Sequence, residues 1–392
     1  MNNQGRYIAL TGKNTLKIME NSIPDVKENG MLLGIGLAGV CGTDIHIIEN
    51  ADSKEYKGIL PMGLGHEVTG TVLKIGKRFQ DNIHYHGSLL KEGDRIVLYA
   101  ALPCNKCFWD DEYGVNHTLI CDNPLPGYFA SCDQWPYFVA GWGDYMYIQP
   151  NSWIYKIPDN LCFEEAVLTE PFSMGMRAVE KALSLPGWKD IQRVMFDGVA
   201  VVIGSGAIGI LTSIALKIIG TGKVILIGGP SNLLNFIKTN GFADEVIDVF
   251  QTSHEERIEL INGMSSSGKG ADVVFEAVGI PEMFIESLEM VRKLGTVVEL
   301  GCLIDSGKDV KINVAKHIVS KDITIYGVVS QSPQYLGRSL RAISNFHNLF
   351  DFKKLVTHKY EIFAMEQMMK DIKKTNELRI KSVFKGKGYY KS

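Results

Sequence analysis

In the stretch GVCGTDIH, Cys41, Thr43, Asp44 and His46 fall within six residues, and MGLGHEVTG sets His66 beside Glu67 about twenty-five residues later. Thiolate, imidazole and carboxylate together are the ligand set of a catalytic zinc, which takes three protein ligands and keeps a fourth position open. Glu170, in LTEPFSMG, is a candidate for the third ligand. A single cysteine or histidine more often fills a core than holds a metal, but several polar residues gathered in glycine-rich settings weaken that explanation here. Of the seven cysteines, Cys104, Cys107 and Cys121 crowd into one segment. In a reducing compartment such clustering points to metal rather than to a disulfide framework.

A second constellation lies in GVAVVIGSGAIGILTSIALKIIG, where Gly204, Gly206 and Gly209, with Ala207 and Ile208 between them, give a G-x-G-x-x-G spacing. It follows an apolar strand and opens an apolar helix, the context in which this spacing means dinucleotide binding. The glycines permit a tight turn, so that a pyrophosphate can sit on exposed N–H groups at the positive end of the helix dipole. An acid ending the next strand normally binds the adenine ribose. Here VILI runs instead into Gly228, Gly229, Pro230, Ser231 and Asn232, and no arginine follows to hold a 2′-phosphate. Ser231 and Asn232 can hydrogen-bond ribose hydroxyls or, less well, a phosphate. The absence of a nearby cation favours NAD over NADP, and a plain turn leading into a helix is compatible with both.

These groups need a scaffold, and the composition supplies one. With 392 residues, 45% hydrophobic and 22% charged, the chain is globular and long enough for two domains, which excludes disordered and fibrous classes. Lysine and arginine number 41 against 44 acids, a net charge of -3 without a basic run, so nucleic acid and anionic membranes are not expected partners and a small molecule is. The opening MNNQGRYIALTGKNTLKI lacks the pattern of a secretory signal, and a cytoplasmic location is expected. Residues 198–216 carry no charge and are long enough to imitate a membrane span, but their glycine spacing and lack of an aromatic belt read as a buried strand, turn and helix start.

From about residue 7 to 155 short β-rich runs, such as 31–37, 67–75, 95–101 and 144–148, are punctuated by glycine and proline, predicting an irregular, mostly β domain. From about 173 to 327, VAVVIG, VILIGG, EVIDV, DVVFEAVG, TVVELG and ITIYGVV alternate with helical segments, which predicts an α/β, doubly wound parallel sheet. The tail from about 339, ending in RIKSVFKG, is expected to rejoin the first domain.

In this order GVCGTDIH, GHEVTG, KEGDRIV, the cysteine cluster, EPFSMG, GSGAIG, GADVVFEAVG and RIKSVF span nearly the whole chain. Together they resemble the zinc-dependent medium-chain dehydrogenases/reductases of the alcohol and polyol dehydrogenase type. The resemblance implies a GroES-like irregular β domain over residues 1–172 with a C-terminal return at 335–392, and a Rossmann dinucleotide-binding domain over 173–334. It implies Cys41 and His66 as zinc ligands, Glu170 as third ligand directly or through water, and Glu67 as an alternative ligand. Thr43 would hydrogen-bond the reacting hydroxyl, and His46 would pass its proton to solvent. Asp44 either orients a histidine ligand or caps the following helix, roles that do not exclude each other. Val278 and Gly301 are further expected cofactor contacts. EPFS is similar to sorbitol dehydrogenase relatives, which points to a polyol, sugar or cyclitol oxidised to its ketone with NAD(P). The resemblance also implies a homodimer or homotetramer, formed by edge pairing of the Rossmann sheets.

The structural zinc lobe of this family has four cysteines, whereas this chain reads CNKCFWDDEYGVNHTLIC, with Asp110 where the third would stand and Cys121 a few residues late. Cys104, Cys107, Asp110 and Cys121 are therefore expected to hold a second zinc, with Asp111 or His117 as alternatives to Asp110 and a metal-free lobe as the other outcome. Cys132, Cys162 and Cys302 have no partner by spacing and are expected to pack. The aromatic-rich stretch 128–147 can stack sugar rings, although most of its rings are expected to pack the lobe. His84 and His86 are read as part of a surface insertion. Two rival functions are a zinc-independent quinone or enoyl reductase on the same fold, against which Cys41, His66 and Glu67 argue, and a non-catalytic redox sensor, against which Thr43 and His46 argue.

Overall fold

The computed structural model describes residues 4–82, 84–86, 89–99, 101–102, 104, 106–113, 121, 129–183, 194–301, 307–374 and 377–391. In chain order come β1 (Gln4–Gly12), β2 (Thr15–Ser22), β3 (Met31–Gly39), α1 (Gly42–Glu49), β4 (Met62–Gly63), β5 (Glu67–Ile75), β6 (His84–His86), β7 (Arg95–Leu98), α2 (Phe108–Tyr113), β8 (Tyr145–Ile148), β9 (Trp153–Lys156), α3 (Phe163–Ala166) and α4 (Thr169–Leu183). Then follow β10 (Val199–Ile203), α5 (Ala207–Ile218), β11 (Lys223–Gly228), α6 (Ser231–Thr239), β12 (Glu245–Asp248), α7 (His254–Met264), β13 (Ala271–Glu276), α8 (Pro281–Met290), β14 (Val291–Glu299), α9 (Val314–His317) and β15 (Thr324–Gly327). The chain closes with α10 (Pro333–Phe346), β16 (Val356–Glu361), α11 (Met365–Ile372) and β17 (Lys381–Lys385).

The runs VAVVI, KVILIG and ADVVFE are buried almost throughout because helices cover both faces of their sheet, so no polar alternation is needed. That sheet has the order β12-β11-β10-β13-β14-β15 with every pairing parallel. Strand order reverses between β10 and β13, and the carboxyl ends of the strands flanking such a switch point form a ligand crevice. The apolar residues of α5 pack on one face, with Val202, Leu226 and Phe275. Leu288 and Met290 of α8 close the other, with Val201, Ile225 and Val274. The expected α/β parallel sheet is present, and residues 198–216 form a strand, a turn and a helix. Among the described residues no helix is long and apolar enough to cross a membrane.

The irregular β part is built on a sheet of order β16-β17-β3-β5-β7-β9-β6, with β8 also pairing β3, and a small sheet β2-β1-β4. Near the end of the chain β17 runs antiparallel to β3, with Val383 opposite Gly39. Val40 N donates to Ser382 O at 2.9 Å, so the last strand is held against the residues just before Cys41. His84–His86, expected in a surface insertion, form the strand β6, which pairs parallel with β9 at the sheet edge. A short edge segment needs only one paired side, and polar residues are no obstacle there. Cys302 and His117 lie outside the described residues.

Candidate active site

β3 delivers the chain to Cys41, and α1 starts directly after it. The fully buried Asp44, in the first turn of α1, ties the site together. Its Oδ2 accepts from Cys41 N at 2.9 Å and its Oδ1 from Gly65 N at 3.2 Å, while His66 Nδ1 lies 3.4 Å from Oδ1. Asp44 thus completes the capping box of α1 and faces the histidine at once. Cys41, His66 and Glu67 each offer one ligand atom, and these atoms all lie within 4.8 Å of one another. Burial opposes charge on His66, but Asp44 and Cys41 outweigh it and raise the imidazole pKa well above its ordinary value.

Glu67 enters this site because Gly39, opposite it in the β3–β5 register, has no side chain; a Cβ there would lie 1.7 Å from Glu67 Oε2. Lys381, only 4% exposed, donates through Nζ to Glu67 Oε1 at 2.6 Å and to Val40 O at 3.2 Å. Glu67 Oε2 is buried with no hydrogen-bond partner among the described residues. A carboxylate oxygen left bare beside a thiol and an imidazole fits a cation, since burying it unpaired costs several kcal/mol.

Glu170, at the start of α4, is not within the 4.8 Å group formed by Cys41, His66 and Glu67. Gln331 Nε2 donates to its Oε1 at 2.5 Å. Burial and the Glu67 charge raise the Glu170 pKa, while His66, Gln331 and Lys381 oppose that rise. Cys41 Sγ lies 3.6 Å from Thr43 Oγ1, and His46 is exposed on the solvent side of α1. Lys381 and Gln331 were not anticipated from the sequence. The first lies within the closing motif RIKSVF, and neither carries a local sequence signal for this site.

At the second cluster, one ligand atom each from Cys104, Cys107, Asp110 and Cys121 falls within 4.8 Å of the others. Asp110 Oδ2 is 3.1 Å from Cys104 Sγ and 3.4 Å from Cys121 Sγ. The helix α2 turns Asp110 inward and leaves Asp111 exposed. Three sulfurs and a carboxylate oxygen at this spacing fit a tetrahedral zinc. Cys132 is buried, and burial pushes its thiol up to about 12, as suits a packing residue. In the aromatic stretch Phe138, Trp142 and Tyr147 are buried, whereas Phe129 sits against the His66 ring at a centroid distance of 5.5 Å.

In the glycine loop Gly204 has φ +129°, and a Cβ on Gly209 would lie 1.9 Å from Gly204 O, whereas a Cβ on Gly206 would meet open space. That open face, at the start of the twelve-residue α5 with Ala207 and Ile208 in its first turn, is a cradle a pyrophosphate fits. Val278 N donates to Glu276 Oε1 at 2.8 Å and Gly301 N to Glu299 Oε1 at 2.9 Å, which places both residues just past the carboxyl ends of β13 and β14. Ser231 and Asn232 open α6, where both are exposed.

Comparison with known proteins places this geometry. Residues 27–159 match the alcohol dehydrogenase GroES-like domain and residues 207–345 the zinc-binding dehydrogenase domain. An uncharacterized zinc-type alcohol dehydrogenase-like protein of Escherichia coli is 28% identical over 95% of this chain and 96% of its own. The sorbitol dehydrogenase of Bacillus subtilis is 25% identical over 90% of this chain and 89% of its own. An alcohol dehydrogenase of Thermotoga maritima shares the fold with a TM-score of 0.84 at 23% identity, covering 98% of this chain and 99% of that one. The chain belongs to the zinc-dependent medium-chain dehydrogenase/reductase family, of the alcohol and polyol dehydrogenase type. It is an oxidoreductase, and the reading as a non-catalytic sensor is set aside.

Proposed function

We propose that the chain reversibly oxidises a secondary alcohol, one hydroxyl of a polyol, sugar or cyclitol, to the ketone by hydride transfer to NAD(P), NAD being the favoured cofactor. The observation that carries this reading is the buried meeting of Cys41, His66 and Glu67, with one Glu67 oxygen left bare. Zinc held there would supply Lewis acidity towards the substrate hydroxyl, and a dinucleotide in the crevice would supply the hydride acceptor. Cys41 and His66 hold the metal and Asp44 fixes both, while Lys381 restrains Glu67 as an alternative ligand. Glu170, oriented by Gln331, is the third ligand directly or through water. Thr43 hydrogen-bonds the reacting hydroxyl, and the exposed His46 hands its proton to solvent. Cys104, Cys107, Asp110 and Cys121 hold a structural zinc.

In this reading residues 1–172 and 335–392 carry the metal sites, and 173–334 carry the cofactor through Gly204, Gly206, Ala207, Ile208, Gly209, Ser231, Asn232, Val278 and Gly301. The assembly is a homodimer or homotetramer paired along β15, the edge of the parallel sheet, where Ile325 is exposed. A cytoplasmic setting suits cysteines that must stay reduced to bind metal. The test is zinc per chain by elemental analysis together with NAD and NADP reduction across polyols, cyclitols and simple secondary alcohols. About two zincs with polyol turnover is the expected result. No zinc, and no turnover on adding it back, would refute the mechanism.

A further inference from the structure

The loop after β11 lacks the acid that the dinucleotide fold calls for, and the structure shows why. A Cβ on Gly228, the last residue of β11, would lie 2.6 Å from both Cβ and Oγ of Ser205, in the glycine loop. That serine is fixed there: its Oγ donates to Gly229 O at 2.7 Å and accepts from Gly229 N at 3.1 Å. Position 229 is closed as well, since a Cβ there would lie 2.6 Å from the ring of Phe250, which itself is 75% exposed. No side chain can project from either glycine without displacing a neighbour.

A carboxylate nevertheless reaches this place from the adjacent strand. Asp248, the last residue of β12, is the register partner of Gly228. Its Oδ1 lies 3.5 Å from where a Gly229 Cβ would be and accepts from Phe250 N at 2.9 Å. Its Oδ2 accepts from the Ser231 hydroxyl, at the first residue of α6. Among the described residues no lysine, arginine or histidine forms an ion pair with Asp248. The negative charge therefore stays uncompensated at the mouth of the loop.

Two opposing influences meet here. The missing acid at Gly228 and the positive end of the α6 dipole invite a 2′-phosphate. An unneutralised carboxylate beside the same hydroxyl-bearing residue repels it, and a full charge at contact range outweighs the half-charge of a helix end. Resting on the reading of this crevice as a dinucleotide site, we propose that Asp248 and the Ser231 it orients form the adenine-ribose recognition pair of this chain and select NAD over NADP. Asp248 accepts from a ribose hydroxyl through lone pairs that Ser231 and Phe250 leave open, and Ser231 Oγ, with its own proton committed to Asp248, accepts from the other.

The test is direct binding of NADH and NADPH to the full chain, read by cofactor fluorescence and by thermal shift, for the wild type, Asp248→Asn, Asp248→Ala and Ser231→Ala. The wild type is expected to bind NADH at least about tenfold more tightly than NADPH, with the discrimination shrinking as salt is raised because it is a charge effect. Asp248→Asn should weaken NADH and strengthen NADPH, moving the ratio by about thirtyfold while the melting temperature of the free protein holds. Ser231→Ala, at an exposed position, should move the ratio in the same direction by less, which keeps the proposal testable should the Asp248 variants fold poorly. A wild type that prefers NADPH, or a ratio shifting less than about threefold in every well-folded variant, overturns the ribose pair while leaving the dinucleotide site standing. Binding of neither cofactor overturns the site itself, and the pair with it.

Discussion

Glu276 ends β13 in a strand that is buried from end to end, and it faces Glu299, its register partner on β14. Burial, and then the charge and hydrogen bonding of Glu299, push the Glu276 carboxyl up from 4.5 to about 8. The folded state therefore holds a proton that the unfolded chain releases at ordinary carboxylate pH. Stability from this group is complete below pH 4.5, falls as pH rises, and is gone above about pH 8. Taken as a shift from 4.5 to about 8 at 1.36 kcal/mol per pH unit, the swing is on the order of 4–5 kcal/mol. Glu276→Gln mimics the protonated form in shape and charge, and one amide oxygen can still accept from Val278 N and Gly279 N, as the carboxylate does. Wild type and variant should melt within a degree or two of each other near pH 5. At pH 9 the variant should melt higher by roughly 5–10 °C, at about 2 °C per kcal/mol for a unit of this size. The assay is thermal unfolding of both proteins from pH 5 to 9 at constant ionic strength. A melting difference that stays flat across that range, or favours the wild type at high pH, would refute the reasoning.

Lys381→Met would leave Glu67 buried without its cation; removing one partner of a buried pair costs about 3–5 kcal/mol, so a lowered melting temperature is expected, with Lys381→Arg recovering part of it. An unchanged melting temperature in Lys381→Met would show that the pair carries no stability. Asp44→Asn keeps the shape but loses the charge facing His66; metal affinity should fall about 10–100-fold in chelator competition, with NADH binding unchanged. Asp110→Ala should lose one zinc equivalent by elemental analysis and melt lower, and retention of full metal content would remove Asp110 from the ligand set.

The architecture was legible because its signals are local. The runs VAVVI, KVILIG and ADVVFE announce strands buried on both faces, and the glycine spacing with its flanking strand and helix announces the crevice. Cys41, His66 and Glu67 could be named because thiolate, imidazole and carboxylate gathered in glycine-rich settings make up a zinc ligand set. Glu170 was named by motif alone, and the structure holds it apart from that group with Gln331 on one oxygen. Gln331 and Lys381 could not be found this way. Each reaches the site from a part of the chain more than 150 residues away from the acid that it touches, and no local pattern records such a meeting.

The same limit explains the missing ribose acid. A sequence motif assumes that the residue ending a given strand does the work of that strand's end, but in a parallel sheet the ends of neighbouring strands open onto one crevice and their side chains are interchangeable in space. Once Ser205 fills the room beside Gly228, a side chain at that position meets Ser205, and the carboxylate that comes up to the loop is that of the register partner on β12. The sequence EVIDVF held that acid all along, as an unremarkable aspartate closing a short, half-buried strand. Glu299 makes the converse case: it completes a run otherwise apolar, and only the pairing of β14 with β13 sets its carboxyl against that of Glu276. Chemistry at this crevice is thus written across strands rather than along them, and a cofactor preference inferred from the β11 loop alone would be inferred from the one strand end that has no room for the deciding residue.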